Sequence, residues 1–311
     1  MEILALILLI IFFILPMPLR ETVQSAVVRQ AVIAPFHGIQ RGGDMPVEGF
    51  PEAATRPAGP TKNSDAEFPY ELTAMSAIVT DVASGQTIFD RHANDVRPLA
   101  SITKLMTALV FLDTNPNWAE TLTLTIDDER AGHLYVDTGE TLSLRDLFYV
   151  SLVGSSNNAT VALSRASGLS SDAFVAAMNK KASDLGMTRT RFTEPTGLDS
   201  RNVSSAEDTA ILLGAALEEP LIAQATTMAS YNARIVGEKK KRLIKNTDML
   251  LTRGVALRVA GVEGGKTGYI PEGGYNFAVQ VHDAANHNLR IVILGAADPF
   301  ARFIEAQDLA E

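Results

Sequence analysis

The sequence predicts an α+β fold, an antiparallel sheet assembled from both ends of the folded segment with a helical subdomain inserted between them. Three observations carry this: strand signals around 74–91, helical periodicity from Ser101 to Gly186, and a block of strand signals after residue 260. A content of 46% hydrophobic and 20% charged residues over 311 positions can build a substantial core, and it excludes a wholly disordered chain.

Taken in order, ILALILLIIFFILPMPL at 3–19 is an unbroken apolar run of about the length that crosses a ~30 Å hydrocarbon layer. Residues 1–20 are expected to be an N-terminal membrane anchor or a signal. Glu2 stands where export signals carry a cation, the first cation is Arg20, and VQSA at 23–26 is a weak cleavage site, so a retained anchor is favoured. Residues 21–68 scatter Pro, Gly and polar residues without a sustained period and read as a flexible linker. The folded domain is expected over 69–311.

AMSAIVTDVASGQTIFDR at 74–91 reads as two strands around a turn at Gly85. LASITKLMTALVFL at 99–112 reads as an amphipathic helix with Leu105, Ala108, Leu109 and Leu112 facing a core. TLTLT at 121–125 is a short strand, LSLRDLFYVSLV at 142–153 a helix, and DAFVAAMNKKASDLG a second helix stopped at Gly186. EDTAILLGAAL at 207–217 is helical. GVEGGKTGYI, YNFAVQVHD and LRIVILGAA read as strands, the last two joined by a hairpin loop at Ala285 and Asn286, and PFARFIEAQDLAE closes on a helix.

A net charge of −9 argues against nucleic acid, because neutralising phosphates needs clustered Lys and Arg. The absence of cysteine removes thiol catalysis, disulfides and thiolate metal sites. What remains is hydroxyl and amine chemistry. Ser101 and Lys104 lie three residues apart on a helix, hence on one side of it, where a hydroxyl and an amine can be nucleophile and base. Alone, the pair reads better as a capping serine and a solvated lysine, because a chain of this length holds on the order of one such pair by chance.

Two further stretches change that balance: VGSSNNATVAL at 153–163 sets hydroxyls and amides between apolar helical segments, and GGKTGYI at 264–270 opens a strand with Lys-Thr-Gly. Lys266-Thr267 could also end a phosphate-binding loop, but that loop needs glycine at Ala260 and a helix downstream, where YNFAVQV reads as strand.

Ser101-x-x-Lys104, Ser155-x-Asn157 and Lys266-Thr267-Gly268, in this order, resemble the three motifs of penicillin-binding proteins and serine β-lactamases. ASITKLMTAL, GSSNNATVAL, FTEPTGLD and KTGYIPEGGYNFAV narrow the resemblance to the D-alanyl-D-alanine carboxypeptidases, from about Ala74 to about Ala297. It implies a β-lactamase/transpeptidase-like fold and a serine DD-peptidase domain over 69–311. The implied activity is cleavage of D-Ala-D-Ala termini of peptidoglycan stem peptides through an acyl-enzyme on Ser101, with β-lactam antibiotics as further ligands.

The implied site follows residue by residue. Lys104 is the base, acting when neutral, and burial together with the nearby Lys266 cation lowers its pKa. Ser101, at the positive end of its helix, and Tyr269 supply N–H groups to an oxyanion hole. Ser155 passes a proton to the leaving amine, Asn157 holds the substrate amide, and Lys266 and Thr267, with Gly268 completing their motif, bind the terminal carboxylate. No cofactor or metal is implied. The location is the extracytoplasmic face of the cell membrane, or outside it if the leading segment is removed. Cross-link endopeptidase, β-lactamase and a non-catalytic penicillin-binding wall protein stay open as alternatives.

Ser156-Asn157-Asn158 and Ser200-Arg201-Asn202 offer alternative serine-amide registers. Ser155 and Asn157 are preferred because the following Asn-Ala-Thr and its helix align with the family's usual Asn-Asp-Ala, although Asn158 stands in place of that aspartate. His37, His92, His133, His282 and His287 lack metal-ligand spacing. EKKKR at 238–242 reads as a solvated hairpin turn, and Asp127, Asp128 and Glu129, being consecutive, point in different directions. Glu194 before Pro195 lacks the Glu-x-x-Leu-Asn context of a β-lactamase's deacylating base.

Overall fold

The structure, a computed structural model, describes residues 70–132 and 135–311. The expected anchor, linker, His37 and His133 lie outside the described residues. Among the described residues no helix is long and apolar enough to cross a membrane.

Strands β1 (Ser76–Asp81) and β2 (Thr87–Arg91) form the first hairpin. It turns at Gly85, whose φ of +72° is a conformation that glycine adopts without a Cβ clash. A short strand β3 (Arg97–Pro98) and a 3-10 turn (Ala100–Ile102) lead into helix α1 (Thr103–Asp113). Every residue of α1 from Thr103 to Phe111 is buried, so the expected amphipathic helix is a central one enclosed on all sides.

Strands β4 (Thr121–Thr123) and β5 (Thr141–Ser143) pair with Leu122 opposite Leu142. The residues Leu142 and Ser143, expected as helix, are therefore strand, because they have a partner across the sheet. Helices α2 (Leu144–Val153), α3 (Asn157–Ala166) and α4 (Ser171–Asp184) follow, then β6 (Val203–Ser204) and α5 (Ala206–Glu218). Ser143, Ser156, Ser170 and Ser205 each accept from the backbone N–H three residues on, at 3.0, 3.4, 3.2 and 3.0 Å, which starts α2, α3, α4 and α5 where they start. Gly186, with φ +79°, ends the α4 region as expected.

Helix α6 (Pro220–Thr227) and the hairpin β7 (Ser230–Ala233)/β8 (Arg242–Lys245) were outside the sequence expectations, apart from the EKKKR turn that connects these strands. The chain ends with β9 (Gly261–Ile270), β10 (Gly274–His282), β11 (Asn288–Ala296) and α7 (Ala301–Asp308).

The main sheet runs β2-β1-β11-β10-β9, antiparallel throughout, so both ends of the domain build it. Alternation sorts its side chains into two cores. Ile78, Ala278 and Val292 face the helical region, while Val79, Phe277, Val279 and Ile291 face α7 through Phe303 and Ala306. Strand β9 is left as the edge. That edge lies against the 3-10 turn carrying Ser101.

Candidate active site

Ser101 sits, partly exposed, in the 3-10 turn at the entrance to α1. The preceding Ala100 has φ +50°, a sparsely populated conformation for a residue with a Cβ. Two glycines hold this turn by contact. A Cβ on Gly268 of β9 would stand 2.6 Å from Leu99 O and 3.1 Å from Ser101 N, and one on Gly197 would stand 1.9 Å from Ala100 O. The turn is also tied by Leu99 N–H to Asn202 O (2.9 Å) and Asn276 Nδ2 to Pro98 O (2.8 Å).

Lys104 lies fully buried one turn into the helix. Its Nζ has three partners: Ser101 Oγ at 2.8 Å, Asn157 Oδ1 at 2.7 Å and the Thr196 carbonyl at 2.7 Å. Two of these accept only. A neutral amine has two N–H groups and one lone pair, so it can donate to Asn157 Oδ1 and Thr196 O while its lone pair faces the Ser101 hydroxyl. Burial pulls the Lys104 pKa down from 10.5 to about 7, with Glu194 opposing.

The second polar stretch bends between α2 and α3. Ser155 adopts φ +55°, which turns its hydroxyl to Lys266 Nζ at 2.9 Å. Asn157, in the first turn of α3, gives Oδ1 to Lys104 and one Nδ2 hydrogen to Ala131 O. The two alternative registers go elsewhere. Ser156 caps α3, and Asn158 accepts from Arg130 N (2.8 Å) and donates to Val136 O (3.2 Å).

Lys266, buried on β9, also donates to Thr267 O at 3.1 Å. Its pKa is held well below the usual range by burial, then by the charges of Lys104 and Arg302, while Asp248 raises it. This modifies the expectation for the lysine pair: burial dominates at Lys104, and the Lys104 charge presses on Lys266. Thr267 Oγ1 lies 2.5 Å from Thr247 Oγ1. Tyr269 is exposed and stacks on Tyr275 with centroids 4.3 Å apart, leaving its backbone at the cleft edge.

Contacts thus bring Ser101, Lys104 and Asn157 together, Ser155 to Lys266, and the Gly268 segment of β9, which carries Lys266, Thr267 and Tyr269, against the Ser101 turn. Sequence reasoning used FTEPTGLD at 192–199 only for the resemblance and missed what the residues of this loop hold. Glu194 accepts from Thr196 N (2.7 Å), Thr196 Oγ1 (2.6 Å), Asn202 Nδ2 (3.1 Å) and Gly197 N, and this aims the Thr196 carbonyl at Lys104. Asn202, one of the alternative motif amides, serves this scaffold. Arg302 of α7 was also missed; its guanidinium is buried and donates to Gly268 O at 3.1 Å.

The remaining candidates resolve structurally. Lys266-Thr267 belongs to a strand followed by a strand, which removes the phosphate-loop alternative. Asp128 is bound by Arg165 at 2.7 Å, His282 bonds Glu263, and His287 bonds Asp283. Among the described residues no cluster of three or more His, Asp or Glu could hold a metal.

The sequence family described as D-alanyl-D-alanine carboxypeptidase matches residues 61–298. A D-alanyl-D-alanine endopeptidase of Pseudomonas aeruginosa is 33% identical over 256 residues, covering 81% of each chain. A D-alanyl-D-alanine carboxypeptidase of Mycobacterium tuberculosis is 34% identical over 247 residues, covering 78% of this chain and 79% of its own. Among solved structures, penicillin-binding protein D2 from Listeria monocytogenes, in its cefotaxime-bound form, superposes with a TM-score of 0.66 at 30% identity, over 78% of this chain and 98% of that one.

Proposed function

The chain belongs to the D-alanyl-D-alanine carboxypeptidase family of serine DD-peptidases, and we propose that it cleaves D-Ala-D-Ala termini of peptidoglycan stem peptides through an acyl-enzyme on Ser101. The observation that carries this reading is Lys104. It is buried, its pKa is near 7, and it lies 2.8 Å from Ser101 Oγ with acceptors for both of its remaining N–H groups.

Neutral Lys104 takes the Ser101 proton as Oγ bonds to the carbonyl carbon of the penultimate D-alanine. Negative charge forms on the carbonyl oxygen, and the N–H groups of Ser101 and Tyr269 receive it at the contact that Gly268 permits. The C–N bond then breaks, and the proton returns by way of the Ser155 hydroxyl to the leaving nitrogen. Water next attacks the ester carbonyl as Lys104 takes its proton, the C–Oγ bond breaks to release the shortened peptide with a new carboxyl terminus, and that proton returns to Ser101 Oγ. Glu194 is spent on four donors, so it is a poor candidate for either proton transfer.

The second hydrogen on Asn157 Nδ2 is left for a substrate carbonyl. Lys266, with Ser155 and Thr267 O as partners, keeps a further N–H for the terminal carboxylate, which Thr267 also binds, with Arg302 adding positive potential. A β-lactam presents a strained amide to the same nucleophile. Peptidoglycan lies outside the membrane, so residues 1–20 are assigned to anchoring or export, 21–68 to the tether and 69–311 to catalysis.

A second reading, cross-link endopeptidase, is favoured by the Pseudomonas aeruginosa relative of that name. A cross-link presents the same D-alanyl carbonyl with a longer amine behind it. Digestion of purified muropeptides separates the two: free D-alanine supports carboxypeptidase, monomers released from dimers support endopeptidase, and neither product from folded enzyme refutes both.

A further inference from the structure

Three basic side chains are buried around the cleft: Lys104, Lys266 at 2% exposure and Arg302 at 9%. Cations out of water need a counter-charge or they neutralise. Glu194 faces Lys104. Among the described residues, the acid that bears on both Lys266 and Arg302 is Asp248, 1% exposed, in the loop between β8 and β9. Its neighbour Thr247 bonds Thr267, which sets Asp248 directly behind the strand edge carrying Lys266. Asp248 Oδ1 accepts from Leu250 N at 2.8 Å. Its Oδ2 is buried without a hydrogen-bond partner, and so is Arg302 Nε. The catalytic steps above leave this carboxyl unused.

We propose that Asp248 is a positioning residue, the internal counter-charge that keeps Lys266 and Arg302 cationic behind the carboxylate-binding edge. The inference rests on the reading of Lys266 as the partner of the substrate's carboxylate. Burial, Lys104 and Arg302 all push Lys266 toward its neutral form, and Asp248 pulls the other way. Arg302, lowered by burial to about 10, is likewise supported by Asp248, with Tyr275 adding to it. Burial raises Asp248 itself to about 6, against the pull of the Leu250 and Leu251 N–H groups, Arg302 and Lys266. At pH 7 it is therefore mostly ionised.

The test uses the full chain and an acyl-D-Ala-D-Ala peptide. In the wild type, kcat/KM requires Lys104 without its proton, which burial lets it lose near pH 7, and Lys266 with its own. Asp248→Asn keeps the shape and the Oδ1 acceptor but not the charge. Without that charge Lys266 loses its proton more readily, so the alkaline limb is expected to move to lower pH, with the acid limb set by Lys104 unmoved. A merely structural role lowers activity at every pH alike.

An unmoved alkaline limb in folded Asp248→Asn overturns the proposal and leaves the Ser101 reading standing. Absence of hydrolysis and of penicillin acylation in the wild type overturns that reading instead. If the asparagine variant does not fold, Asp248→Ser, which leaves room for water, carries the same expectation and the same refutation.

Discussion

Replacing Lys104 by Met separates what the buried amine does for chemistry from what it costs the fold. The fall of its pKa from 10.5 to about 7 corresponds to about 5 kcal/mol, because burial penalises the charged form. The sign follows from proton binding: the folded state holds the proton less tightly than the unfolded state. The penalty is therefore fully present below pH 7 and is relieved as pH rises toward 10.5. Met removes it and fills the same space. It also strands Asn157 Oδ1 and Thr196 O, at about 1–3 kcal/mol each. The variant is thus expected between about 1 kcal/mol less stable and about 3 kcal/mol more stable than wild type at pH 7 in urea unfolding. The wild type should gain on it by about 1.4 kcal/mol per pH unit above 7. Acylation by a fluorescent penicillin should slow by about 10²–10⁴. A Met variant that acylates within tenfold of wild type, or one destabilised by more than about 4 kcal/mol, would refute the reasoning.

Gly268→Ala drives a Cβ into the Leu99 carbonyl and should push β9 off the nucleophile turn, lowering both the melting temperature and, by roughly 10²–10³ in stopped-flow penicillin binding, acylation. Glu194 raises the Lys104 pKa, so Glu194→Gln should move the acid limb of the acylation rate below its wild-type position near pH 7, read from a pH series between 5 and 9. An acid limb that stays put would contradict this. Asn158→Asp places a buried carboxylate against Val136 O, where the amide now donates, and should lower stability by about 1–3 kcal/mol at neutral pH with recovery in acid, measured by thermal unfolding.

Legibility tracked how far apart in the chain the cooperating groups lie. Ser101 and Lys104 share one turn, so their spacing alone brings them together. The strands of the main sheet were legible because each face meets its own core, giving Ala77 and Val79 to one and Ile78 to the other. Helix α1 did not show its true environment, since a helix buried all round has no single apolar stripe to read. Strands β7 and β8, four residues each, carry too little alternation to stand out. The Thr196 contribution is a carbonyl, which has no side-chain signature, and it reaches Lys104 across 92 residues. Glu194, Asn202, Arg302 and Asp248 acquire their significance from packing between remote segments, and spacing rules do not reach that far.

Peptide mapping of the covalent β-lactam adduct tests the central claim most directly. The full chain is incubated with a penicillin, digested and sequenced by mass spectrometry. The account predicts a single adduct on Ser101, lost in Ser101→Ala without a change in melting temperature. An adduct on Ser155 or Ser156, or a folded chain that carries none, would contradict it.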